Sequence, residues 1–193
     1  MSVEFTCPKR LRRIRSLLTG AWRDRSGATA VEFALVAAPF LMFVLGVLGI
    51  GLYFFTSNSL DRGVELAARQ IRTGQAQKNS VTVGQFKNLV CSSAGSYIDC
   101  SKLSVIVQSA TSWSGITPQS CVDTSNNMVG STGATGDLIS QYTGSAKTVV
   151  LVTLCYKWEL AQLFSFLKLG SGTNGSGPAV LQSATTFRSE PYS

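Results

Sequence analysis

The chain has 193 residues, a formal charge of +7 and no histidine. Without histidine, the commonest general base, imidazole metal ligation and every Ser-His-Asp arrangement are absent. The charge does not point to nucleic acid either, because most of it sits at one end, with no basic face carrying aromatic or helix-motif context.

Lys9, Arg10, Arg12, Arg13, Arg15, Arg23 and Arg25, opposed by Glu4 and Asp24, precede the apolar run Phe33 to Phe55, FALVAAPFLMFVLGVLGIGLYFF. No charged side chain stands between Phe33 and Leu60. The 23 residues of the run exceed the roughly 20 that a spanning helix needs, and in lipid such a backbone satisfies its own polar groups only as a helix. The positive-inside bias places the N-terminus in the cytoplasm and the rest of the chain across the membrane. A cleaved secretory signal fits less well, since the run is too long and closes on Tyr53, Phe54, Phe55, Thr56, Ser57 and Asn58, without a small-x-small site. Pro39 removes an intrahelical donor, and Gly46, Gly49 and Gly51 thin the helix surface without forming a clean GxxxG.

Glu32 stands at the lip of this run, with Arg25 behind it. One reading is an ordinary interfacial carboxylate. The other follows from its spacing to Gly27: a cut after Gly27 would create an ammonium on Ala28, with Glu32 at the fifth position of the new chain. The carboxylate then lies about one turn from its own terminus and within reach of a neighbouring subunit's, where the two charges together tolerate a low-dielectric bundle better than either alone.

Beyond the run, Leu60, Val64, Ala67 and Ile71 continue an apolar stripe at helical period, flanked by Asp61, Arg62, Glu65, Arg69 and Arg72. One helix is therefore expected over residues 28–72, about half of it beyond the hydrocarbon. Glu65 precedes Arg69 by the four residues that suit a helical ion pair.

Thr73 and Gly74 open a polar break, after which residues 73–193 read as one small domain. A short helix is expected over Val83 to Val90, with Phe86, Leu89 and Val90 inward. Leu103 to Gln108 and Thr148 to Tyr156 are β-branched strands. A third strand is expected within Pro178 to Arg188, with Leu181, Ser183, Thr185 and Phe187 on one face. Ser125 to Ser145 reads as a loop with one helical turn near Asp137 to Tyr142. Glu159 to Leu169 reads as a helix whose Leu160, Leu163, Phe164 and Leu167 form a greasy face covering the sheet, or lying on the membrane or a partner. The fold class is α+β: a long N-terminal transmembrane helix extending into a small domain with an antiparallel sheet.

Cys7 falls on the reducing side of this topology, leaving Cys91, Cys100, Cys121 and Cys155 on the oxidising side. Four cysteines allow three pairings; the favoured one joins Cys91 to Cys100 and Cys121 to Cys155. No metal or cofactor site is expected, because histidine is lacking and no CxxC knuckle is present. Asp99, Asp123, Asp137, Glu159 and Glu190 are scattered, and Lys102, Lys147, Lys157 and Lys168 read as solvated surface, so no catalytic residue is assigned and the chain reads as something other than an enzyme.

The segment RDRSGATAVEFALVAAPFLMFVLGVLGIG resembles the opening of the TadE-like family of the tight-adherence, Flp-type pilus system, and TTFRSEPY (Thr185 to Tyr192) resembles a short signature near the end of many members. The resemblance implies a minor pilin or pseudopilin, trimmed by a prepilin peptidase after Gly27, with Ala28 the mature N-terminus and Glu32 the family's carboxylate. Residues 1–27 would be a cytoplasmic leader, 28–72 the transmembrane and extended helix in the bacterial inner membrane, and 73–193 a periplasmic domain. Implied partners are the inner membrane, the peptidase, other pilins and the assembly platform, and not nucleic acid. The alternative is a permanently anchored single-pass periplasmic structural or binding protein that is never trimmed.

Overall fold

A computed structural model describes residues 27–175 and 177–191 of the chain. The basic N-terminal stretch, Cys7 and Tyr192 lie outside the described residues. The chain divides into two compact units, Met1–Leu45 and Gly46–Ser193.

The expected helix is present as α1 (Ala28–Arg72), 45 residues that run through Pro39. At 1.5 Å per residue it is about 67 Å long. Its C-terminus is closed by a turn in which Gly74, at φ 74°, donates to the Ile71 carbonyl at 3.1 Å while Thr73 donates to that of Arg69 at 3.0 Å. A left-handed glycine just past the last turn is a common way to end a helix. Leu60, Val64, Ala67 and Ile71 are at most 1% exposed, and the charged residues expected beside them all face outward. Among the described residues Glu65 and Arg69 are not an ion pair; Arg72 instead meets Glu190 at 3.3 Å.

A short α2 (Gln75–Lys78) leads to α3 (Val83–Ala94), longer than the sequence suggests. Thr82 and Gln85 form a reciprocal capping box at its start. Phe86 and Val90 are fully buried, with Leu89 at the margin. The helix lies against α1 where α1 offers Gly63: a Cβ there would stand 2.9 Å from the Val90 carbonyl oxygen and 3.0 Å from the Ala94 Cβ.

The sheet is an antiparallel meander of β1 (Leu103–Ala110), β2 (Val149–Trp158) and β3 (Ala179–Arg188), with β2 in the centre. Val105 pairs with Leu154, and Leu154 with Ser183. As a central strand covered on both faces, β2 is almost continuously apolar. Val150, Val152, Leu154, Tyr156 and Trp158 join the main core with α1 and α3, whereas Cys155 joins Ile106 and Cys121 in a smaller core. In β3 the buried residues are Ala179, Leu181 and Ser183, so of its two faces the one carrying Leu181 and Ser183 turns inward. The fold class is thus the α+β arrangement read from the sequence.

Both disulfides take the favoured pairing, Cys91–Cys100 and Cys121–Cys155. The second ties the long β1–β2 connection to the middle of β2. That connection is held more firmly than a polar loop need be. Thr132 donates from its backbone to the Val105 carbonyl at 2.9 Å, while the Ser131 and Thr132 hydroxyls accept from Val105 and Val107 at 3.0 Å each. These bonds occupy the open edge of β1, a liability in any sheet. Further along, Leu138 bridges Thr82, Ile139 is fully buried, and the expected turn appears as α4 (Ser140–Thr143).

Candidate functional site

The residues singled out for processing and assembly lie at the start of α1. Among the described residues Gly27 has nothing near where a Cβ would stand, and Ala28 is the first residue of the α-helix. Glu32, four residues on, is exposed and has no ion-pair or hydrogen-bond partner among the described residues. Its height above Ala28 is about 6 Å, roughly one turn. Phe33, Leu35, Val36 and Phe43 are 70–75% exposed. Among the described residues, α1 is the one helix long and apolar enough to cross a membrane. A single-pass anchor accounts for so many large apolar side chains without protein cover.

Farther along α1 the surface changes. Gly46 and Gly49, three residues apart, are buried. A Cβ on Gly49 would stand 2.9 Å from the Phe164 ring and 3.0 Å from a Leu167 methyl, and one on Gly46 would stand 3.7 Å from Leu167. The two glycines form a shallow seat for a distant part of the same chain, whereas Gly51 has open space beside it.

The segment seated there is Glu159–Leu167, expected as an α-helix covering the sheet. It is instead a 3-10 run interrupted at Phe164 (φ −109°, ψ 41°); it packs against β3 of the sheet, as expected, and also leans on α1. Three residues per turn align every third side chain. Ala161, Phe164 and Leu167 make the inward ridge: Ala161 is 2% exposed, and Phe164 and Leu167, at and beyond the interruption, lie against the two glycines. Leu160, Leu163 and Phe166 make a second ridge, exposed by 45, 73 and 45%, with one edge of the Phe166 ring 3.8 Å from where a Cβ on Gly46 would stand. Glu159, Gln162 and Ser165 make the third and polar one.

Polar and aromatic contacts gather around the Glu159 end of this region. Lys102 reaches Glu159 at 2.6 Å and Asp99 at 3.4 Å. The hydrogen bond from Lys102 to Glu159 raises the lysine pKa, and the bonds that Asp99 accepts from the Ser101 hydroxyl and backbone lower that of the aspartate. Tyr53 meets Trp158 edge to face at 5.7 Å, and Tyr97 stacks on Phe55 at 5.1 Å while its hydroxyl bonds Ser59.

The described part of the TTFRSEPY ending, residues 185–191, closes the domain. The Arg188 guanidinium donates to the Lys147 carbonyl at 2.8 Å, and the Glu190 backbone donates to the Arg72 carbonyl at 2.9 Å. Arg188 thus ties the end of β3 to the chain entering β2, and Glu190 ties the residues after β3 to the end of α1.

No curated protein and no solved structure matches the chain. The family model described as TadE-like protein matches residues 27–69, a stretch that begins at Gly27, takes in Glu32 and ends one turn short of the α1 terminus. The long helix is thus similar to the TadE-like family over that stretch, and the disulfide-bonded α+β domain from Gln75 onward lies outside the match.

Proposed function

We propose that the chain is a minor-pilin-like or pseudopilin-like structural component of a tight-adherence pilus and not an enzyme. The TadE-like match is the observation that carries this reading. In it, the basic N-terminal stretch stays in the cytoplasm, α1 crosses the inner membrane, and the disulfide-bonded domain stands in the periplasm. A prepilin peptidase cuts after Gly27. The new Ala28 ammonium and the Glu32 carboxylate then set the register of α1 against neighbouring pilins or the assembly platform, where each unlike pair offsets the desolvation that a lone charge would suffer. Support comes from the uncovered apolar surface of α1 and from a Glu32 that has no partner among the described residues.

The test is the N-terminal sequence and intact mass of the membrane-extracted protein from cells with and without the prepilin peptidase. A start at Ala28 that depends on the peptidase is expected. An uncut terminus in both cells would overturn processing and leave a permanently anchored periplasmic protein.

A further inference from the structure

The exposed ridge Leu160, Leu163 and Phe166 sits at an unusual height. Its neighbours on the inward ridge, Phe164 and Leu167, rest on Gly49 and Gly46. Those glycines lie six and nine residues before Phe55, the end of the uncharged apolar run. At 1.5 Å per residue they are about 9 and 14 Å below that level along the helix. Whatever surrounds the last third of the apolar run therefore also surrounds this ridge.

From this continuity we infer that Glu159–Leu167 is a second membrane contact, through which the domain dips Leu160, Leu163 and Phe166 into the acyl region of the leaflet on its own side. The inference rests on α1 being a membrane anchor. Composition along the segment agrees with such a placement: the charged residues Lys157, Glu159 and Lys168 lie only at its ends, and the ridge between them is aliphatic and aromatic. At nine residues the segment is far too short to span and is suited to lying at the boundary. Tyr97, exposed and stacked on Phe55 where the run turns polar, occupies the level at which amphipathic aromatic rings collect.

The contact has a mechanical consequence. A domain held by one helix can tilt and turn about it, whereas one held at the helix and at a neighbouring wedge keeps a fixed face toward the membrane. Leaving the bilayer for any assembly then requires the wedge to be withdrawn or covered.

Photo-crosslinking of the whole chain in cells tests this, with a diazirine side chain placed singly at positions 43, 162 and 163 and the adducts identified by mass. Phospholipid adducts are expected at 43 and at 163, and not at 162 on the polar ridge. Lipid at 43 together with a protein adduct, or none, at 163 would overturn the wedge and leave the anchor intact, a protein adduct marking the ridge as a subunit contact. Failure to find lipid at 43 would overturn both.

Discussion

Gly63 and Gly51 stand on the same helix and differ in what surrounds them. Replacing a helical glycine by alanine gains up to about 1 kcal/mol of helix propensity, but at Gly63 the added methyl meets the Val90 carbonyl at 2.9 Å and the Ala94 backbone at 3.3 Å. Backbone atoms cannot swing aside as a side-chain tip can, so α3 must shift as a body, an overpacking cost of about 1 to 3 kcal/mol. Gly63→Ala is expected to lower the thermal midpoint of the whole chain in detergent micelles, and Gly51→Ala, which keeps the propensity gain without a clash, to raise it slightly, read by circular dichroism. Equal midpoints would mean that α3 yields freely. A second residue-scale effect is electrostatic. Asp137 accepts bonds from the Ala134 backbone and the Tyr142 hydroxyl, both at 2.8 Å, and these lower its pKa below the ordinary 3.8, the backbone bond contributing most. A depressed carboxylate contributes stability that is present above pH 3.8 and is lost as pH falls through the lower folded value. Asp137→Asn should therefore flatten the acid limb of a urea-midpoint profile between pH 5 and 2, by a small amount because the group is solvated.

At the scale of elements, the strands and the α1 stripe could be read from the sequence because their physics is local. Runs such as TVVLVTLCY favour a pleated, buried strand, and Leu60, Val64, Ala67 and Ile71 repeat at the period of a helix. The segment ELAQLFSFL could not be read in that way. Its apolar residues fit an α-helical face made of Leu160, Leu163, Phe164 and Leu167, but that face leaves Ala161 and Phe166 unexplained. A period of three assigns all six apolar residues to two ridges. Its seat on Gly46 and Gly49 is more than a hundred residues away in the chain and invisible to a local pattern. The candidate site divides in the same way: Gly27, Ala28 and Glu32 are legible from their spacing to the apolar run, whereas the glycine seat and the part taken by Glu190 at the end of α1 emerge only from tertiary contact. The disulfides give an element-scale prediction. Cys91–Cys100 spans 9 residues and Cys121–Cys155 spans 34. Loop-closure entropy makes the longer bridge worth about 1 kcal/mol more. It also fastens the β1–β2 connection over the smaller core of Ile106, Cys121 and Cys155. Replacing Cys121 and Cys155 by alanine should consequently lower the urea midpoint further than replacing Cys91 and Cys100. The opposite order would show that the short clip, by fixing the end of α3, matters more than chain entropy.

For the whole molecule, the proposed assembly separates two demands on α1. Entering the membrane depends on the length and apolarity of residues 33–55, to which Glu32, at the lip, contributes little either way. Joining other subunits depends on a charge pair that has no use until a neighbour arrives. Glu32→Gln keeps the size of the side chain and removes its charge, so the altered chain should insert, form both disulfides and fold its domain as before. What it should lose is association: a terminal ammonium left without its carboxylate in a low-dielectric bundle costs about 3 to 5 kcal/mol, more than a hundredfold in a binding constant. Membrane fractionation and non-reducing electrophoresis report insertion and disulfides, and co-purification of a tagged copy with other pilins reports assembly. Normal insertion with co-purification abolished is the expected result. Normal insertion with undiminished co-purification would assign Glu32 to the membrane interface alone and move the source of register to the uncovered apolar face of α1.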